Sequence, residues 1–213
     1  MHDCVSNLLS IKKKIQLKNN KTEVIAVTKT FSIKSIMPLI NIGHLHYGEN
    51  KIQEAIEKWT NIKNDFSNIK LHFIGKLQSN KVKYALPLFD YIHSLDSEKL
   101  ANKISIEQEK YNKKPKIFIQ VNIGNEKQKS GINKENLLDF YNFCQNLDLD
   151  VIGTMCIPPK GENTQNYFAD MNLTNQELNF KDLSMGMSDD YLDAVENNAT
   201  YVRIGSKIFG SRD

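Results

Sequence analysis

A small set of residues in this sequence has side chains suited to covalent or anion chemistry at the ends of apolar segments. Lys29 closes "EVIAVTK"; when neutral, its amine can attack a carbonyl carbon. Ser184 and Gly186 lie in "LSMGMS", and Gly205 and Ser206 follow "YVRI" at the start of a short helical stretch. Glycine lets a backbone approach a ligand closely, and free N–H groups at a helix start favour an anion. Arg203 stands out because Lys and Arg total 28 while arginine occurs only at 203 and 212. Where lysine supplies charge everywhere else, an arginine suggests a need for its planar fork of donors. Each residue alone has an ordinary reading: a lysine stem on apolar surface, turn glycines, a surface cation.

Positioning them together requires a particular set of elements. After an amphipathic stretch over about residues 3–19, strand-like and helix-like segments alternate eight times. The strand-like pieces are "EVIAVTK", "HLHYGE", "IKLHFIG", "YIHSL", "PKIFIQVNI", "LDVIGTMCI", "DLSMG" and "TYVRIG". Helix starts are marked by Ser32, by Asp96-Ser97-Glu98 and by Ser188-Asp189-Asp190. "KIFIQVN" reads as buried on both faces, which suits a parallel sheet. The pattern predicts an α/β fold, a (β/α)8 TIM barrel over residues 1–213, in one domain with an extra N-terminal helix. An open doubly wound sheet is the alternative, weakened because no G-x-G-x-x-G follows the first strand. In a barrel, active sites lie at the C-terminal strand ends and phosphate often sits after strands seven and eight. Those ends present Lys29, then Tyr47, Glu49 and Asn50, then His72 and Gly75, His93, Asn122, Met155, Ser184, and Arg203 with Gly205 and Ser206.

Composition narrows the function classes. With 40% hydrophobic residues the chain can bury a sizeable core, and a net charge of +3 makes no basic stripe. "IKKKIQLKNNK" lacks interleaved aromatics and reads as a solvated helix face, so no nucleic-acid partner is expected. Cys4, Cys144 and Cys156 are odd in number and widely spaced, which points to a reducing compartment and away from disulfides or zinc. "MHDCVSNLLSIKKK" has no signal-peptide pattern, and no apolar run reaches the roughly 20 residues a bilayer needs. The expectation is a cytoplasmic monomer without membrane association.

A cofactor with an aldehyde, a phosphate and an aromatic nitrogen would use the lysine, the cradle and the arginine together; pyridoxal 5'-phosphate is such a molecule. The stretches "AVTKT", "YGENKIQEA", "HFIGKLQSNKVK", "IHSLDSEKLA", "QVNIGNEKQKSG", "GTMCIPP", "LSMGMSDDYLDAV" and "VRIGSKIFGSRD" run in order over nearly the whole chain. In them the sequence resembles the pyridoxal-phosphate homeostasis protein family, whose barrel is similar to the N-terminal domain of alanine racemase. The resemblance implies Lys29 as the Schiff-base lysine. It implies Ser184, Gly205 and Ser206 at the phosphate, Arg203 facing the pyridine nitrogen, and Asn50 near the cofactor. Met155, at the sixth strand end, is counted with them. It further implies binding and buffering of the vitamer within the cell, with pyridoxal-phosphate-dependent apoenzymes as partners and no robust turnover. Two departures are visible: Ser206 stands where threonine is common, and Thr154 where leucine is common, which would loosen packing under the ring. The N-terminal helix and the segment after "CIPP" look short, which bears on lid contacts.

Arg203 bears on reactivity, because an arginine disfavours a proton on the pyridine nitrogen and so weakens the ring as an electron sink. Racemisation would need a second acid–base group opposite Lys29, with Tyr47, His72 and Tyr167 as local candidates. A racemase of the alanine type is therefore the alternative function, and a lysine-rich nucleic-acid or protein adaptor a second. Lys129, in "KQKSG", is either a transient second amine for the vitamer or an exposed lysine.

Overall fold

A computed structural model describes residues 2–210; Met1 and residues 211–213, Arg212 among them, lie outside the described residues. The strands are β1 (Glu23–Val27), β2 (His46–Glu49), β3 (Lys70–Phe73), β4 (Tyr91–Leu95), β5 (Lys116–Val121), β6 (Val151–Cys156), β7 (Asp182–Ser184) and β8 (Tyr201–Ile204). They close in sequence order into one barrel, every neighbouring pair parallel, with β8 returning to β1. The barrel expected from eightfold alternation is present, and the open sheet is excluded.

The helices are α1 (Asp3–Gln16), α2 (Ile33–Asn41), α3 (Ile52–Asp65), α4 (Val82–Ala85), α5 (Glu98–Tyr111), α6 (Leu137–Asn146), α7 (Thr164–Glu177), α8 (Tyr191–Glu196) and α9 (Ser206–Phe209). Among the described residues no helix is long and apolar enough to cross a membrane.

Alternation along the strands divides the core in two. Side chains such as Val24, Ala26, Leu71, Phe73, Ile92, Ile117, Ile119, Val202 and Ile204 join the large apolar layer with the helices. The opposite parity gives a separate cluster of Ile25, Tyr91, Phe118, Met155 and Tyr201 inside the barrel. Gly153 is required by backbone proximity: a Cβ there would lie 1.7 Å from the Asp182 carbonyl oxygen on β7.

Several expected helix signals operate as read. The Ser32 hydroxyl accepts from the Ser35 amide at 3.4 Å and caps α2. In α1, Ile11 and Ile15 are buried while Lys13 and Lys14 face solvent, so the lysine run is a solvated helix face. Others differ. Ser97 makes no capping bond, although Glu98 does stand in the first turn of α5. The Asp190 carboxylate accepts from the Met187 amide at 2.6 Å, which draws residues 187–190 into a turn and delays α8 to Tyr191. The N-terminal helix packs on the last one: Asn7 Nδ2 donates to the Ile208 carbonyl at 3.1 Å.

Candidate cofactor site

Lys29 does not lie on a strand. β1 stops at Val27, and Lys29 sits half-buried in the turn that follows. The strand ends early because Thr30 adopts φ 71°, a left-handed conformation that a β-branched residue takes only when held there. The hold is visible. The Thr30 amide donates to the Glu54 carboxylate on α3. The Thr28 amide donates to the Gly48 carbonyl at 2.9 Å. Lys58 Nζ, also on α3, donates to the Thr28 carbonyl at 2.8 Å.

A buried carboxylate anchors this clamp. Glu49, fully inaccessible at the end of β2, accepts at Oε1 from Thr28 Oγ1 at 2.7 Å, Lys58 Nζ at 2.8 Å and Trp59 Nε1 at 3.0 Å. Lys58 also reaches Glu54 at 3.0 Å, the i,i+4 spacing that α3 provides. The backbone on both sides of Lys29 is thereby fixed.

Arg203 lies on the adjoining strand, paired in register with Ile25 of β1. The residue is buried at 5% exposure, and its guanidinium points inward. Nη1 donates to Ser184 Oγ at 2.8 Å and Nη2 to the Cys156 carbonyl at 3.0 Å. Burial lowers its pKa, but a guanidinium stays charged in proteins. Five N–H donors with two engaged in these bonds leave capacity for a ligand acceptor. Ser184 itself is fully buried, and its hydroxyl serves Arg203 and His93 Nδ1, the latter at 2.9 Å.

Immediately beyond β8 the chain enters α9. Ile208 and Phe209 both donate to the Gly205 carbonyl, so the amides of Ser206 and Lys207 begin the helix with no intrahelical acceptor. Ser206 is exposed, and Gly205 lies against Val27, 3.4 Å from where its Cβ would be. Phe31, just past Lys29, stacks on Phe209 of α9 with ring centroids 4.7 Å apart. The loop carrying Lys29 and the turn carrying Gly205 and Ser206 are thus packed together across the seam that closes the barrel. Gly186 has φ 86°, and a Cβ there would lie 2.5 Å from that of Ala194, so only glycine fits this turn after β7.

The remaining predicted positions separate. Met155 faces the barrel interior with Ile25, Tyr91, Phe118 and Tyr201. Asn50 follows β2 at the rim of a separate pocket with Lys76 and Lys81, its backbone so close to Gly75 that a Cβ would lie 2.3 Å from the Asn50 oxygen. Thr154 is a correction. It points outward to α7, where Oγ1 donates to Asn175 Oδ1 at 2.8 Å, so it cannot loosen packing inside the barrel. Parity explains this, since its neighbour Met155 takes the inward direction.

Of the strand-end groups, Tyr47 is buried on the helix side with its hydroxyl on the His44 carbonyl at 3.0 Å. Tyr167 is paired with Glu162. Lys129 is half-buried, paired with Glu126, and donates to the Pro158 carbonyl at 3.2 Å. His72 and His93 are fully buried inside the barrel. The clamp residues Glu54, Lys58 and Trp59 were not singled out from the sequence; the only signal was the Glu54–Lys58 spacing in "QEAIEKW".

Known proteins resemble this chain in sequence and fold. The family described as alanine racemase, N-terminal domain, matches residues 4–213. The pyridoxal phosphate homeostasis protein of Aquifex aeolicus is 37% identical over 203 residues, covering 91% of this chain and 88% of the relative. The protein of the same name from Haemophilus influenzae is 38% identical over 208 residues, covering 91% and 86%. The structure of PipY of Synechococcus elongatus with PLP bound superposes with a TM-score of 0.87 at 31% identity, covering 97% of this chain and 100% of that one. Alanine racemase of Clostridium difficile, at 13% identity and a TM-score of 0.76, shares the barrel over 99% of this chain and 57% of its own. On this sequence and structural similarity, the chain belongs to the pyridoxal phosphate homeostasis protein family, built on the barrel of the alanine racemase N-terminal domain.

Proposed function

We propose that this chain binds pyridoxal 5'-phosphate at the mouth of the barrel and serves vitamin B6 homeostasis in the cytoplasm as a holder of the cofactor. The observation that carries this reading is the closing seam. A rigidly clamped turn presents Lys29 beside the start of α9, and the neighbouring strand presents a buried guanidinium with unused donors. The donor set fits the group. Lys29 offers the amine, Arg203 offers N–H to the ring nitrogen, and the α9 amides with the Ser206 hydroxyl and the Gly186 turn suit the phosphate. Ser184, expected at the phosphate, instead supports Arg203 in this reading, its hydroxyl being engaged by the guanidinium and His93. Met155 forms part of the floor inside the barrel, whereas Asn50, at the rim of a separate pocket with Lys76 and Lys81, is given no role at the cofactor in this reading. When bound, the cofactor supplies an electrophilic aldehyde carbon.

The protein's own residues bind and orient; steady amino-acid turnover is not part of this reading. A racemase needs a second acid–base group facing Lys29. The hydroxyl of Tyr47 is committed to His44 on the helix side, Tyr167 is paired with Glu162, and His72 is enclosed in the barrel interior. Arg203 also disfavours a protonated ring nitrogen, which limits carbanion chemistry. Transfer to apoenzymes is the expected use of the bound cofactor.

Titration with pyridoxal phosphate tests this. After gel filtration removes free cofactor, the chain should retain one equivalent with a visible band that borohydride bleaches. Lys29→Ala should lose the bleachable band, and alanine should not be racemised at a steady rate. Protein that carries no visible band after incubation with saturating cofactor and gel filtration, or racemisation abolished by Lys29→Ala, would overturn the proposal.

A further inference from the structure

The barrel interior holds a continuous hydrogen-bonded line of three histidines. His46 Nδ1 lies 2.9 Å from His72 Nε2, and His72 Nδ1 lies 2.9 Å from His93 Nε2. His93 Nδ1 lies 2.9 Å from Ser184 Oγ, which accepts from Arg203 Nη1 at 2.8 Å. His72, His93 and Ser184 are fully buried. The line follows the stagger of the strands. His46 pairs in register with Lys70, two residues before His72; His72 pairs with Tyr91, two residues before His93. Each histidine therefore stands one step nearer the C-terminal mouth, and the line climbs from the opposite end of the barrel to the Arg203 guanidinium. Aromatic rings wall it in: His72 stacks on Tyr91 at 4.1 Å and His93 on Phe118 at 4.3 Å.

Donor counting gives this line a direction. A guanidinium only donates, so Ser184 Oγ must accept from Arg203. Ser184 Oγ could also accept from His93, but its own buried proton would then face no acceptor among the described residues, so the serine donates to His93 Nδ1, which is bare. A neutral imidazole with bare Nδ1 carries its proton on Nε2, so His93 donates to His72 Nδ1, and by the same step His72 donates to His46 Nδ1. His46 ends the series with Nε2–H at the far mouth. All three rings must be neutral for this to hold. Burial lowers the pKa of each; the neighbouring imidazoles lower that of His72 further, and Arg203 and His46 that of His93. Around His46, Lys12 and Lys70 act in the same direction, while Glu23 and Asp90 oppose. Aligned hydrogen bonds of one polarity reinforce each other.

We propose that His46, His72 and His93 are positioning residues for Arg203: a single directed chain of neutral imidazoles, each protonated on Nε2, that fixes the Ser184 hydroxyl and through it the guanidinium meant for the ring nitrogen. The functional part rests on the cofactor reading given above; the tautomer assignment does not. Protonating His46 would place its Nδ1–H against the His72 Nε2–H and break that hydrogen bond.

Two measurements test this. Long-range 1H–15N correlation spectra of the cofactor-free protein, labelled at histidine, read each tautomer directly. Near neutral pH, His46, His72 and His93 should all be Nε2–H. Ser184→Ala should leave His46, three bonds away along the line, as a mixture of tautomers. Any of the three found on Nδ1 in the unsubstituted protein, or an unchanged His46 in Ser184→Ala, overturns the direction. The second measurement compares His72→Leu, which cuts the line, with His72→Gln, whose amide can both accept and donate. His72→Leu should weaken pyridoxal phosphate binding about tenfold and leave inorganic phosphate binding unchanged, while His72→Gln should stay within about threefold for both. Equal loss for both ligands, or no loss for either, overturns the positioning role. If His72→Leu does not fold, His72→Gln and the tautomers still decide. If pyridoxal phosphate fails to bind the unsubstituted protein while the tautomers are as stated, the cofactor reading fails and the directed chain stands.

Discussion

Arg203 and Lys29 represent two ways of fixing a cation at one site. Lys29 is held through its backbone, by Thr28 and Thr30 on either side. Arg203 is held through its head, by Ser184 Oγ and the Cys156 carbonyl. A lysine at 203 could supply the charge but not two diverging donors in one plane. Arg203→Lys is therefore expected to weaken pyridoxal phosphate binding at least tenfold and to lower stability by about 1–3 kcal/mol, since a buried acceptor is left without its donor. Absorbance titration and urea unfolding read the two effects; an affinity within twofold of the unsubstituted protein would contradict this role. Burial pushes the thiol of nearby Cys156 up to about 12, which keeps it protonated and unreactive near neutrality.

At the scale of elements, the connection from α3 to the β1 turn does most to shape the site. Lys58 is buried with Glu49 and offsets its carboxylate while also holding the Thr28 carbonyl. Lys58→Ala removes one partner of a buried pair and is expected to cost about 3–5 kcal/mol, measured by urea unfolding; a loss below about 1 kcal/mol would show that the clamp is not tight. Much of this architecture was legible in the sequence. Strand β4 (Tyr91–Leu95) coincides with the predicted "YIHSL", because a short apolar run between Asp90 and Asp96 has clear limits. β1 was drawn two residues too long, because the left-handed Thr30 carries no turn signature and is set by Glu54, 24 residues away. The outward direction of Thr154 and the inward line of histidines depend on barrel parity and stagger. Those are properties of the closed sheet, so residue types alone did not expose them.

The whole molecule places opposite ends of the sequence side by side: closure of β8 on β1 brings the Gly205 turn against the loop carrying Lys29. The same closed interior makes the protein sensitive to acid. His44, His46, His72 and His93 all have pKa values lowered first by burial, His44 to about 3. In the unfolded chain these groups take up protons near pH 6.5. Below that value the unfolded state binds more protons than the native one, so stability falls as pH falls, by up to about 1.4 kcal/mol per pH unit for each histidine, until the native pKa is reached. Asp96 and Asp182, raised by burial, act in the opposite sense nearer the carboxylate range. Urea unfolding from pH 7 to pH 5 should show a steady loss; a flat profile would mean that the histidines are not buried as neutral rings. The central claim concerns one amine, and peptide mapping by mass spectrometry after borohydride reduction of the pyridoxal phosphate complex tests it most directly. The account predicts a single phosphopyridoxyl adduct on Lys29 at one equivalent of cofactor. An adduct on Lys129 or spread over surface lysines, with Lys29 unmodified, would contradict it.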